Sequence, residues 1–153
     1  MEAETVIRSA EGRRFKFLTD TYTIKRPSTQ GNADHSLTHV VVAPGGFAPP
    51  HTHDRYEETF YLLDGELEFT LGRETFRLGA GDYVVAAPGV RHGYKNKSER
   101  QAQMLFEFTP GGMEEFFCEF RTDEKSFDSV TFFLKAREVH GTVYELPGTA
   151  PAE

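Results

Sequence analysis

From residue 14 to residue 108 the chain is a succession of short β-prone runs, RFKFL, YTIK, SLTHVVV, ETFYLL, ELEFTL, TFRL, DYVVAA, HGYKN and AQMLFEF, separated by Gly, Pro, Asn and Asp. Runs this short suit strands better than helices, and turn residues at this spacing let each fold back on a neighbour. Asp64-Gly65 carries the signal of a tight hairpin between ETFYLL and ELEFTL, and Gly72-Arg73-Glu74 supplies a second glycine turn. The cadence predicts an all-β antiparallel sandwich or barrel.

A helical period takes over after the breaker Pro110-Gly111-Gly112. Met113, Phe116, Phe117 and Phe120 fall at i, i+3, i+4 and i+7. Phe127, Val130, Phe133 and Leu134 repeat that stripe, with Ser126 or Asp128 to cap the start and Gly141 to end the helix. At 153 residues and 38% hydrophobic content the chain suits one core rather than two. The expectation is a single domain over 1–153: a β-barrel core at about 15–109, a short helical segment at about 112–141 and a loose tail at 147–153.

Charge narrows the partners. Seventeen basic against 24 acidic residues give −7 with no Lys/Arg run, which excludes attraction to a nucleic-acid backbone or an anionic membrane. No apolar run approaches the roughly 18 residues of a membrane span, and MEAETVIRSAEGRR lacks the apolar stretch of a signal peptide, so a cytoplasmic location is expected. Cys118, the single cysteine, has no internal disulfide or CxxC partner and fits best as a residue of the first helix.

The chemistry concentrates in HTHDRYEETFYLLDG, residues 51–65. Side chains two apart on a strand share a face, so His51 and His53 can converge on one cation, approached through the stiff Pro49-Pro50. If Phe60 and Leu62 face inward, so does Glu58; Glu57 points away and becomes the ligand only if the strand bulges. His92, just after the Pro88-Gly89 bend, is a third imidazole facing the same cavity. Three histidines and a glutamate leave positions open on a six-coordinate ion, and one divalent transition metal among Fe, Ni, Mn, Co, Cu or Zn is expected. His35, His39 and His140 lie outside this pattern and read as surface or loop residues, Asn96 as a turn residue, and Arg91 as a solvated charge or an anion-steering group.

These two segments resemble the paired motifs of the cupin superfamily. Gly45, His51, His53, Glu58 and Gly65 match G-x5-H-x-H-x4-E-x6-G without gaps, and Gly81, Gly89, His92 and Asn96 match G-x5-P-x-G-x2-H-x3-N, with Ala87 where the family has proline. The resemblance implies a cupin-type jelly-roll β-barrel with a metal inside, held by His51, His53, Glu58 and His92. The layout of one such unit followed by FTPGGMEEFF and a second helix is similar to single-domain bacterial quercetin 2,3-dioxygenases and their relatives. That likeness implies an aromatic, flavonol-like substrate, dioxygen as co-substrate, and Glu58 as both ligand and base. A flat apolar substrate requires an aromatic pocket. Phe60, Phe69, Phe76, Phe106 and Phe108 have the parity to face inward, Tyr94 shares the parity of His92, and Met113, Phe116 and Phe117 are placed to cover the barrel mouth. Two other readings stay open: a metal-containing binding cupin without turnover, and a cupin isomerase or decarboxylase, which would need inward Arg, Lys or His groups that the apolar parities do not supply. Family habit implies a homodimer, with RFKFL and YTIK pairing across a two-fold axis or folded onto their own sheet.

Overall fold

Alternating apolar residues decide how the strands stack into layers. In the structure, a computed structural model describing residues 5–32 and 34–146, ten strands precede the helices. They are β1 (Arg13–Phe17), β2 (Asp20–Arg26), β3 (Ser36–Val42), β4 (Phe47–His53), β5 (Glu57–Asp64), β6 (Glu66–Leu71), β7 (Glu74–Gly79), β8 (Tyr83–Ala86), β9 (His92–Lys95) and β10 (Ala102–Thr109). Helices α1 (Met113–Glu119) and α2 (Ser129–His140) follow, then a short strand β11 (Thr142–Tyr144). The nine expected runs are all strands. The expected tail at 147–153 lies outside the described residues.

Every strand pairing is antiparallel. One sheet has the order β1-β2-β3-β10-β5-β8 and the other β11-β4-β9-β6-β7, which together make the jelly roll. On β5, Glu58, Phe60 and Leu62 are buried, and on β10 so are Met104, Phe106 and Phe108, as the two-residue period requires. Phe69 on β6 meets Phe60 across the sheets, ring centroids 4.8 Å apart.

Three expectations are corrected. Asp64-Gly65 does not close a hairpin: β5 pairs with β10 and β8, whereas β6 pairs with β7 and β9, so Gly65 is the corner where the chain changes sheets. Its φ of 79° and the closeness of β10, where an added Cβ would lie 2.7 Å from the Gln101 oxygen, explain the glycine. The tight hairpin is the next turn, Gly72-Arg73, between the paired Leu71 and Glu74. Phe76 has the inward parity, opposite Phe69, yet is 43% exposed, because β7 is the outermost strand of its sheet. In α2 the buried residues are Phe132 and Ala136, while Val130 and Leu134 face solvent. Asp128 caps that helix by accepting from the Thr131 N–H, so Phe127 lies before the first turn and reaches Phe132 from the loop. Gly141 ends the helix with φ 60°. Cys118 sits free on α1.

Candidate metal centre and its cavity

Two prolines shape the strand that carries the first ligands. Pro49 and Pro50 cannot donate to a ladder, and the β4–β9 pairing shifts register between Ala48 and His51. Gly93 opposite makes this possible, since a Cβ there would lie 2.7 Å from the Ala48 oxygen. The shift frees the Pro49 carbonyl, which accepts from His51 Nδ1 at 2.8 Å. In the same way the Val90 carbonyl, in the turn before β9, accepts from His92 Nδ1 at 2.9 Å. A carbonyl oxygen only accepts, so both rings carry their proton on Nδ1 and present the Nε2 lone pair inward.

These lone pairs converge on one carboxylate. Glu58 Oε2 lies 2.9 Å from His53 Nε2, 2.8 Å from His92 Nε2 and 3.8 Å from His51 Nε2. The four residues are at most 5% exposed, with one ligand atom from each lying within 4.8 Å of the others. Acceptors at such distances repel unless a cation lies between them. A proton on His92 satisfies one contact, and the Glu58 carboxylate raises that imidazole despite burial, which alone would lower it. A divalent metal satisfies all of them at once, and three imidazoles with one carboxylate are a fitting donor set. Burial, with His92 and His53 nearby, lowers His51 to about 4, leaving it neutral and ready to ligate. Burial would raise Glu58, but the three imidazoles pull it well below the usual carboxylate range. Glu57 is turned away from the cluster, as parity predicts.

A cavity of about 480 Å³ opens onto His51 and Glu58. Of the expected pocket residues Phe60, Tyr94, Phe106 and Phe117 line it; Phe69, Phe108, Met113 and Phe116 are buried in the core behind it, and Phe76 is outside. Sequence reasoning missed Phe17, Tyr22, Phe47, Phe127, Phe132, Phe133 and Tyr144, which supply the other aromatic walls. Their one local mark was aromatic character. Burial raises the phenols of Tyr22, Tyr94 and Tyr144 well above their ordinary range, so they are neutral. Among the described residues, no Lys or Arg lines the cavity.

The other candidates have partners elsewhere. Arg91 is tied to both oxygens of Glu145, with Nη2–Oε2 at 2.8 Å, rather than steering an anion. Asn96 braces its turn by donating to the Val42 and Arg100 carbonyls. His39 meets Gln103, His35 meets Asp34, and His140, half-buried at the end of α2, meets the Tyr56 hydroxyl at 3.0 Å.

The jelly roll, with this buried His-His-Glu-His cluster inside it, is of the cupin type. A family profile described as "Cupin domain" matches residues 38–108. Quercetin 2,3-dioxygenase of Bacillus subtilis (strain 168) is 34% identical over 98 residues, covering 62% of this chain and 28% of that protein. Polyketide synthase CurC of Streptomyces cyaneus is 31% identical over 91 residues, covering 60% and 59%. The matches thus span well under two thirds of these relatives' own lengths. Among solved structures, KdgF from Halomonas sp. superposes with a TM-score of 0.66 at 22% identity, covering 73% of this chain and 98% of that one. Among the described residues no helix is long and apolar enough to cross a membrane.

Proposed function

We propose that the protein is a metal-dependent dioxygenase acting on a flat aromatic, flavonol-like substrate. The observation that carries this reading is the cavity: about 480 Å³, walled mainly by phenylalanines and neutral phenols with some aliphatic residues and Glu145, free of Lys and Arg among the described residues, and reaching His51 and Glu58. Such walls desolvate a planar ring system and give a carboxylate or phosphate no counter-ion. The volume lies within the roughly 300–1,000 Å³ of small-molecule sites. Likeness to the Bacillus quercetin 2,3-dioxygenase points the same way.

A divalent transition metal held by His51, His53, Glu58 and His92 would supply a Lewis acid for the substrate's acidic hydroxyl and, if redox-active, a means of engaging dioxygen. The residues of the chain do the rest. The phenylalanine walls hold the ring plane and exclude water, and the phenols of Tyr94 and Tyr22 offer neutral hydrogen bonds within the cavity. The three imidazoles all contact Glu58 through Oε2, and Glu58 itself lines the cavity, which supports its carboxylate as the acceptor of the hydroxyl proton. The reading includes a homodimer formed along the outer edge of β1, which has β2 as its only strand partner among the described residues, beyond the point where the Thr122 N–H donates to the Lys16 carbonyl.

Metal-free protein reconstituted separately with Fe, Ni, Mn, Co, Cu and Zn is given a flavonol in an oxygen electrode. With at least one metal, one O2 should disappear and one CO appear per flavonol bleached. Flavonol binding without oxygen uptake for every metal would instead establish a binding cupin. Turnover of small keto acids or sugar phosphates alone would establish an isomerase or decarboxylase. A second ligand class suits the same walls: a polyketide, the compound class in the name of the CurC relative, transformed without oxygen uptake.

A further inference from the structure

We propose that β11, which lies beyond the residues matched by the cupin profile, is part of the metal centre, with Thr142 as the positioning residue for His53. The inference rests on the metal-binding reading of the four-residue cluster. β11 runs antiparallel to β4 with Thr142 opposite His53 and Tyr144 opposite His51. Thr142 is 1% exposed, and its Oγ1 lies 2.7 Å from His53 Nδ1.

A hydroxyl can donate or accept, so its other neighbours decide the direction. They are the His140 carbonyl at 3.5 Å and Met113 Sδ at 3.9 Å, and both only accept. The single Thr142 proton can go to one of them, which leaves its oxygen free to accept from His53 Nδ1–H. That bond leaves His53 Nε2 with its lone pair toward Glu58. His51 and His92 obtain the same orientation from carbonyls two residues earlier in the chain, whereas His53 depends on a side chain 89 residues away. Tyr144 supports the neighbouring ligand by stacking on His51, centroids 4.7 Å apart and planes 29° apart. The strand is fastened at its far end, where the Glu145 N–H donates to the Pro50 carbonyl at 2.8 Å and the Glu145 carboxylate grips Arg91, the residue before His92.

Removing the hydroxyl without changing side-chain shape frees the His53 ring to exchange tautomers and to rotate. Loss of such an outer partner weakens metal binding about 10–100-fold. Metal-free wild type, Thr142→Val and Thr142→Ser are titrated with Co(II), following the visible d–d absorption. If wild type takes up no Co(II) at this cluster, the metal reading itself fails. If it does, Thr142→Val should bind about 10–100-fold more weakly with an altered d–d spectrum, and Thr142→Ser should restore both. Thr142→Val binding like wild type, or Thr142→Ser losing as much as Thr142→Val, overturns the proposal. Nitrogen NMR of histidine-labelled wild type decides the matter even if the valine variant does not fold. His53 should carry its proton on Nδ1, and a proton on Nε2 in the metal-free protein refutes the positioning role.

Discussion

Gly65→Ala tests the corner between the sheets. With φ at 79° and 62°, Gly65 and Gly72 would both place an alanine in the left-handed region, which costs about 1–2 kcal/mol. Their surroundings differ. At Gly65 the new Cβ lies 2.7 Å from the Gln101 oxygen, 2.8 Å from Ala102 Cα and 3.0 Å from Ala102 Cβ, against about 3.5–4.0 Å for an ordinary contact. At Gly72 nothing lies within 4 Å. The obstructing atoms lie at the start of β10, a strand held between β3 and β5, so they cannot retreat cheaply. Overpacking of this kind adds about 1–3 kcal/mol, giving about 2–5 kcal/mol for Gly65→Ala and about 1–2 kcal/mol for Gly72→Ala. Urea unfolding of both variants with a chelator present, at unchanged m, measures the difference. Equal losses would show that Gly65 is an ordinary turn glycine and that the close approach of β10 does not constrain the corner.

Asp20, 4% exposed, is pushed from 3.8 to about 6 by burial, despite hydrogen bonds from Ala43 N–H and the Thr19 hydroxyl. Its folded value exceeds its unfolded one, so the stability it contributes is complete below pH 3.8 and lost as pH rises through 6, at about 1.4 kcal/mol per pH unit. Asp20→Asn should therefore gain up to about 3 kcal/mol over wild type at pH 8 and little at pH 3.5, read by denaturation at both values. Phe69→Ala should cost about 3–5 kcal/mol, whereas the same change at the exposed Phe76 should stay within about 0.5 kcal/mol; comparable losses would put Phe76 back in the core. Glu58→Gln should abolish flavonol turnover more completely than it weakens Co(II) binding, and equal loss of both would remove its role as base.

The His-His-Glu-His cluster was legible because the rule that places it is local. Two-residue alternation puts His51 with His53 and Glu58 with Phe60, and one parity choice separates Glu58 from Glu57. The same rule is blind to depth. Phe76 has the correct parity but sits on the outermost strand, where it stays 43% exposed. Asp-Gly likewise encodes a left-handed residue without saying which strand receives the chain afterwards, so a change of sheet reads like a hairpin. In α2 the spacing of Val130 and Leu134 is helical, yet the face toward the barrel is set by what Phe132 meets, namely Phe116 at 4.8 Å and Tyr144 at 5.4 Å.

What stayed hidden at the four-residue cluster follows the same division between near and far. In each cupin motif a histidine is oriented by the carbonyl two residues before it, Pro49 for His51 and Val90 for His92, so the motif carries its own support. His53 cannot use that device: the residue two before it is His51, and β4 is regular from there on, with His51, Thr52 and His53 opposite Tyr144, Val143 and Thr142. Its support must come from across the strand pair, which no spacing rule within residues 45–96 can reveal. Chains that keep both motifs but differ after β10 should therefore agree at His51 and His92 and diverge at His53, making the C-terminal strand the place where one cupin metal site is tuned differently from another.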